Sequence, residues 1–221
     1  MKADTSKPPV ISTSNAGRIS RVILASESPR RLELLRSLGL EVDVVRSGYA
    51  ERPAPQLTPE QLARRHAHGK LGAVLGTRAC PERSRRAPQF PVLAADTVVD
   101  LDGHALGKPA SAAEATRMLE ALSGREHLVH TAFALAVPHV EPWAEECSTT
   151  RVRFFTLGPD EIDEYVSSGE PLDKAGAYGI QARAAAFIES IDGDFYTVMG
   201  LPLARFIRTL KRLGFALPDS K

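Results

Sequence analysis

In Arg21-Val22-Ile23-Leu24-Ala25-Ser26-Glu27-Ser28-Pro29-Arg30-Arg31, a short apolar run breaks into a Ser-Glu-Ser-Pro turn and then into positive charge. The run has the length of a buried strand, and the turn residues end it. Ser28 is a natural N-cap, and Pro29 suits the first helical position because its φ is already helical and its missing N–H would have no partner there. Leu32, Leu35 and Leu38 then form one apolar stripe, with Gly39 where a C-terminal cap is wanted. Strand, turn and helix in that order open an α/β fold.

The rest of the chain extends the pattern. Glu41 to Arg46 alternates as a second strand, and Thr58-Pro59-Glu60 reads as the cap and first turn of a helix running to about Leu75. Gly76 to Pro91 has no periodicity and reads as an exposed loop with a basic run at Arg83 to Arg86. Pro91 to Val99 is the most hydrophobic strand, followed by an Asp102-Gly103 turn, a capped helix from Ser111 to Leu122 and a long strand from His127 to Val137. Arg151 to Leu157 forms a further strand, and a helix from Gly158-Pro159-Asp160 extends through about Val166. After a glycine-punctuated stretch at 173–181, a strand from Ala186 to Ile191 and an amphipathic helix from Leu201 to Leu213 close the chain. The expectation is an α/β fold, a mixed sheet flanked by helices, in one domain over residues 19–215. Residues 1–18 and 216–221 are expected as tails.

With 221 residues, 43% of them hydrophobic, the chain can bury one sizeable core. The formal net charge of +1 supplies no global field toward nucleic acid or an acidic membrane, so any bound anion must be held by a local cluster. Cys80 and Cys147 are far apart, which suggests neither a disulfide framework nor a thiolate zinc site and fits a reducing cytosol. No run approaches the roughly 20 apolar residues of a spanning helix.

Three clusters carry candidate chemistry. Ser26, Ser28, Arg30 and Arg31 put hydroxyls and two guanidinium forks at a helix start, where N–H groups and the helix dipole favour a phosphate; a plain capped helix with solvent-facing arginines is the alternative. Asp96 stands inside the apolar run Ala94-Ala95-Asp96-Thr97-Val98-Val99, where an ionised carboxylate needs a cation, hydrogen bonds, a metal or a proton-transfer role; an Asp at a strand end that caps a loop is the alternative. Lys108 in Gly107-Lys108-Pro109, with Lys70 on the earlier helix, could meet an oligophosphate. His66 and His68, two apart on one helix, point to different faces and read as surface residues. No P-loop, dinucleotide turn, serine elbow or zincin helix is present.

Taken in order, Ser26-Glu27-Ser28-Pro29-Arg30-Arg31, Glu51, Lys70, Ala95-Asp96-Thr97-Val98-Val99, Gly107-Lys108-Pro109, Asp173-Lys174-Ala175-Gly176-Ala177-Tyr178-Gly179-Ile180-Gln181 and Gly200-Leu201-Pro202-Leu203 resemble the Maf family of nucleotide pyrophosphatases. The resemblance implies an elongated sheet in two lobes with a cleft between them, similar to inosine triphosphatases. It also implies a homodimer and a divalent metal, Mg²⁺ or Mn²⁺. By motif position Asp96 corresponds to the proton acceptor and, with Glu51, to the metal-binding carboxylates. Arg31, Lys70 and Lys108 fall where the family contacts the triphosphate, and Arg30, Thr97 and Gln181 where it selects the base. The 173–181 motif is similar to the branch acting on dTTP and UTP rather than on 7-methyl-GTP. Gln181 could satisfy a uracil or thymine edge while Arg30 or Thr97 supplies a further donor. A nucleotide-binding regulator of septum formation is the alternative of a different class, but it has little use for two carboxylates that repel phosphate. Ala50, Ala182 and the Asp194-Phe195 pair depart from the family pattern.

Overall fold

The computed structural model describes residues 17–52, 54–76, 89–141 and 143–219. The opening unit forms as expected: strand β2 (Arg21–Leu24) leads into helix α1 (Pro29–Ser37), and Gly39 takes a left-handed φ of 77° just past the helix end. Strand β3 (Glu41–Val44) pairs parallel with β2, and helix α2 (Pro59–Gly76) follows. At its start Thr58 Oγ1 accepts from Gln61 N at 3.2 Å while Gln61 Oε1 accepts from Thr58 N at 3.0 Å, a reciprocal capping box. Most of the segment from Gly76 to Pro91, including its basic run, lies outside the described residues.

Strand β4 (Val92–Leu101) turns at Asp102-Gly103, both with positive φ, into β5 (His104–Leu106). Helix α3 (Ala112–Leu122), capped by Ser111, leads to β6 (Glu126–Ala136) and β7 (Ala144–Phe154). β7 begins well before the Arg151 expected, because its first half, Ala144-Glu145-Glu146-Cys147-Ser148-Thr149, carries no alternating apolar pattern yet pairs along β6. Helix α4 (Pro159–Ser167), three short 3₁₀ turns between Glu170 and Phe187, and strand β8 (Ile188–Asp192) follow. A short helix α5 (Phe195–Met199) precedes α6 (Leu203–Arg212).

The main sheet runs β3-β2-β4-β6-β7-β8, with β5 paired to β4. Its β2 pairings are parallel and the rest antiparallel, so the sheet is mixed. β4 is buried on both faces for most of its length. Leu35 and Phe206, from α1 and α6, cover one face near its start, while Ala63, Ala67 and Leu71 of α2 cover the other. Leu119, Phe154 and Tyr178 make a separate core toward the far end of the long strands. The tail expectation is corrected at both edges. Strand β1 (Gly17–Arg18) pairs parallel with β9 (Phe215–Ala216), and Arg18 forms an ion pair with Asp219.

Candidate active site

A cavity of about 1060 Å³ opens where β2, β4 and the β4–β5 hairpin meet α2 and the 173–180 segment. Ser26, Ser28, Arg30, Arg31, Glu51, Lys70, Asp96, Thr97 and Lys108 all line it. Nine of the ten site residues expected from the sequence therefore converge on one space. Gln181 does not line it; its neighbours Gly179 and Ile180 do, and Gln181 begins the next 3₁₀ turn, half-buried.

Asp96, 7% exposed in the middle of β4, is held by Lys70, whose Nζ donates to Asp96 Oδ1 at 2.5 Å. The same ammonium lies 2.6 Å from Glu51 Oε1. One lysine thus bridges two carboxylates from different segments, offsetting the charge repulsion that would otherwise separate them. Burial raises the Asp96 pKa against the opposing pull of Lys70 and Arg31. Burial also pushes half-exposed Glu51 upward, but the Lys70 hydrogen bond and charge outweigh it and hold Glu51 below its ordinary value.

Arg31 is 8% exposed, and three of its N–H groups are committed to protein acceptors. Nε donates to the Gly200 carbonyl at 2.7 Å, Nη1 to Ser26 Oγ at 2.9 Å and Nη2 to Thr97 Oγ1 at 2.9 Å. Ser28, expected as the helix cap, makes no side-chain cap bond; its own N–H donates instead to Ser26 Oγ at 3.3 Å. Ser26 is therefore the organising hydroxyl of the turn, and the Ser28 hydroxyl stays available to the cavity. Thr97, expected as a donor to the base, has its hydrogen directed elsewhere. Thr131 Oγ1 donates to the Thr197 carbonyl at 2.6 Å, so the 2.9 Å contact between Thr97 and Thr131 has Thr97 as donor.

Arg30 faces Asp173 at 3.8 Å, joining the helix start to the glycine-punctuated motif. Lys108 is exposed, and among the described residues no ion pair fixes it. His66, read as a surface residue, is in fact 6% exposed and lines the cavity, with Tyr49 Oη 3.3 Å from its Nδ1. Gly69, one turn further along α2, makes room for the Tyr49 ring, which a Cβ there would strike. A glycine inside a helical stretch was the available signal for this approach.

Two of the departures from the family pattern are structural. Asp194 caps α5, its Oδ2 accepting from Thr197 N and Thr197 Oγ1, both at 2.8 Å, and it does not line the cavity. Ala182 holds a left-handed φ of 59°, where glycine would sit without strain. Ala50 is exposed outside the lining.

Fold and site together define an α/β protein with a deep cleft that sets a buried acid among lysine and arginine side chains. The sequence matches the family described as Maf-like protein over residues 21–213, and the chain belongs to that family. It is 44% identical over 194 residues to a dTTP/UTP pyrophosphatase of Bacillus velezensis, covering 88% of this chain and 97% of that one. Identity is 47% over 199 residues to the dTTP/UTP pyrophosphatase of Symbiobacterium thermophilum, covering 90% and 97%. It is again 47% over 194 residues to that of Thermus thermophilus, covering 88% and 95%. The solved structure titled "The structure of the Staphylococcus aureus Ham1 protein" superposes with a TM-score of 0.41 at 15% identity, over 61% of this chain and 71% of that one.

Proposed function

We propose that this protein is a nucleoside triphosphate pyrophosphatase that hydrolyses dTTP and UTP to the monophosphate and pyrophosphate. The observation that carries the reading is the Glu51–Lys70–Asp96 bridge on the wall of the cationic cavity. Relatives named for that activity, aligned over 97% of their own length at 44% and 47% identity, support the substrate class.

Attack of water on the α-phosphorus needs a proton acceptor beside the water, and Asp96 is the buried carboxylate suited to that task. Burial raises its pKa, which makes it a stronger acceptor than an exposed Asp, with the Lys70 and Arg31 charges pulling the other way. Lys108 and Arg30, which both line the cavity, are assigned in this reading to the leaving pyrophosphate and to the base end, and the Ser28 hydroxyl to a phosphate oxygen.

A divalent cation belongs to this reading. Among the described residues no group of three or more His, Cys, Asp or Glu side chains could hold a metal ion. Glu51 and Asp96 nevertheless fit Mg²⁺ or Mn²⁺ brought in with substrate, since such ions take one or two carboxylates plus phosphate oxygens and waters. When bound, the cation would neutralise charge on the phosphates and polarise the α-phosphorus. A homodimer also carries over from the resemblance, and a cytosolic location from the sparse cysteines; no helix among the described residues is long and apolar enough to cross a membrane.

The test is pyrophosphate release across dTTP, UTP, CTP, ATP and 7-methyl-GTP, with and without EDTA. The expected result is turnover of dTTP and UTP well above the purine nucleotides, abolished by chelator and restored by Mg²⁺ or Mn²⁺. Full turnover in excess EDTA would remove the metal, and a preference for 7-methyl-GTP would remove the pyrimidine assignment.

A further inference from the structure

Thr131 carries no motif signal and does not line the cavity, yet it sits directly opposite Thr97 in the β4–β6 register. It is fully buried, as is Thr197. Four groups form one chain: Arg31 Nη2 to Thr97 Oγ1 at 2.9 Å, Thr97 to Thr131 at 2.9 Å, and Thr131 to the Thr197 carbonyl at 2.6 Å. A carbonyl can only accept, so the direction of every hydrogen in the chain is fixed from its far end. Thr131 must donate to Thr197, Thr97 must donate to Thr131, and the Thr97 oxygen is left as an acceptor facing the guanidinium.

Helix α5 closes both ends of this arrangement. Thr197 terminates the hydroxyl chain, and Gly200, at the helix end, gives the carbonyl that accepts Arg31 Nε at 2.7 Å. Gly200 also leaves space that a Cβ would fill, at 3.4 Å from both Arg31 Nε and Thr97 Oγ1. Of the five guanidinium N–H groups, three are consumed by Gly200, Ser26 and Thr97. One N–H on each terminal nitrogen is left for a ligand. A guanidinium whose plane is set in advance loses less freedom when it meets an anion.

We propose that Thr131 is a positioning residue that, by fixing the Thr97 hydroxyl as an acceptor, holds Arg31 oriented for the nucleotide. The proposal rests on the reading of this cavity as a nucleotide site. Without the Thr131 hydroxyl, the Thr97 hydrogen loses its acceptor and is free to rotate toward the Arg31 N–H, placing donor against donor.

The experiment compares Thr131→Val, which keeps the shape of threonine, with Thr131→Ser, which keeps the hydroxyl, in the full chain. Thr131→Val is expected to lower kcat/KM for UTP about tenfold, and Thr131→Ser to stay within about twofold of the unmodified protein. Thr97→Val should produce a similar loss, and Thr97→Val/Thr131→Val should be no worse than Thr97→Val alone, because the two residues act in series. Thermal melting scores folding separately; if Thr131→Val does not melt cooperatively, Thr131→Ala replaces it and must show the same loss. Near-normal kcat/KM in the hydroxyl-less variant, failure of serine to restore activity, or fully multiplicative losses in the double variant would each overturn the relay. If the unmodified protein releases no pyrophosphate from any nucleotide but binds UTP, the functional reading fails alone, and the relay is scored on the UTP Kd of the same variants. If it neither turns over nor binds UTP, both fail.

Discussion

Residues 25–31 and residues 173–182 meet across the Arg30–Asp173 contact, yet they reach the cavity by different physical routes. The first segment joins a strand to a helix, and regular backbone hydrogen bonding on either side fixes its shape. The second is a succession of 3₁₀ turns with left-handed φ at Gly176 (66°), Ala177 (62°) and Ala182 (59°). Its shape is imposed by contacts from outside. Gly176 N donates to the Gly107 carbonyl at 3.0 Å, Lys174 Nζ donates to the Glu170 carbonyl at 2.6 Å, and the Tyr178 hydroxyl lies 2.6 Å from His127 Nε2. A segment shaped by its own sequence tolerates distant substitutions, whereas one shaped by packing transmits them.

The largest expected effect lies on β4, between the two. Asp96→Asn should lower kcat by about 10²-fold or more with the melting temperature little changed, since both segments keep their supports. Steady-state kinetics with a thermal melt checks it, and near-normal turnover would take Asp96 out of the chemistry. Next is the anchor of the second segment. His127 is 3% exposed, its Nδ1 has no hydrogen-bond partner among the described residues, and burial lowers its pKa from 6.5 to about 4. The folded state therefore favours the neutral ring, and between those values the unfolded chain binds more protons. Stability should fall as pH drops from 6.5 toward 4 and level off below, by about 3 kcal/mol in all at about 1.4 kcal/mol per pH unit. His127→Gln cannot titrate, so its denaturant midpoints should lose much of that acid slope; an unchanged slope would assign it to other groups.

Gly176→Ala tests the packing directly. The new Cβ would come 2.9 Å from Val99 Cγ2 in a left-handed conformation, so a loss of about 2 kcal/mol in urea unfolding is expected. A neutral result would mean that the segment adapts locally, which would erase the contrast with residues 25–31. The smallest effect is a gain. Ala182→Gly removes left-handed strain of roughly 1 kcal/mol and adds a somewhat smaller unfolded-state entropy cost, for a net rise of about 0.5 kcal/mol. A loss on making this change would show that the alanine methyl contributes more than its strain costs.

The same contrast explains which parts of the site could be read in advance. Ser26, Arg31 and Asp96 announced themselves because charge or turn chemistry stood beside an apolar run, whereas Lys70 stood out only as a companion to Lys108. Their convergence on one cavity follows from strand order, with β2 beside β4 and α2 packed over β4 and β6. Gln181 was placed by motif alone, and the positive φ of Ala182 begins a turn that leaves it beyond the lining. His66 looked like a surface residue because helical spacing says which face a residue takes but not what covers that face. Tyr49 does so here, through the gap left at Gly69.

The sequence by itself determined the α/β class, the opening strand–turn–helix unit, the capped helices α2 and α3, and the residue types gathered at the site. These follow from periodicity, caps and turn chemistry within a few residues of one another. Only the tertiary structure decided that Lys70 bridges Glu51 and Asp96, that α5 exists and closes over Arg31, and which way the Thr97 hydroxyl points. Each of those depends on atoms brought together across 19 to 169 positions of chain. A hydroxyl has no preferred hydrogen direction of its own, so its direction is set by the acceptor that the fold places beside it.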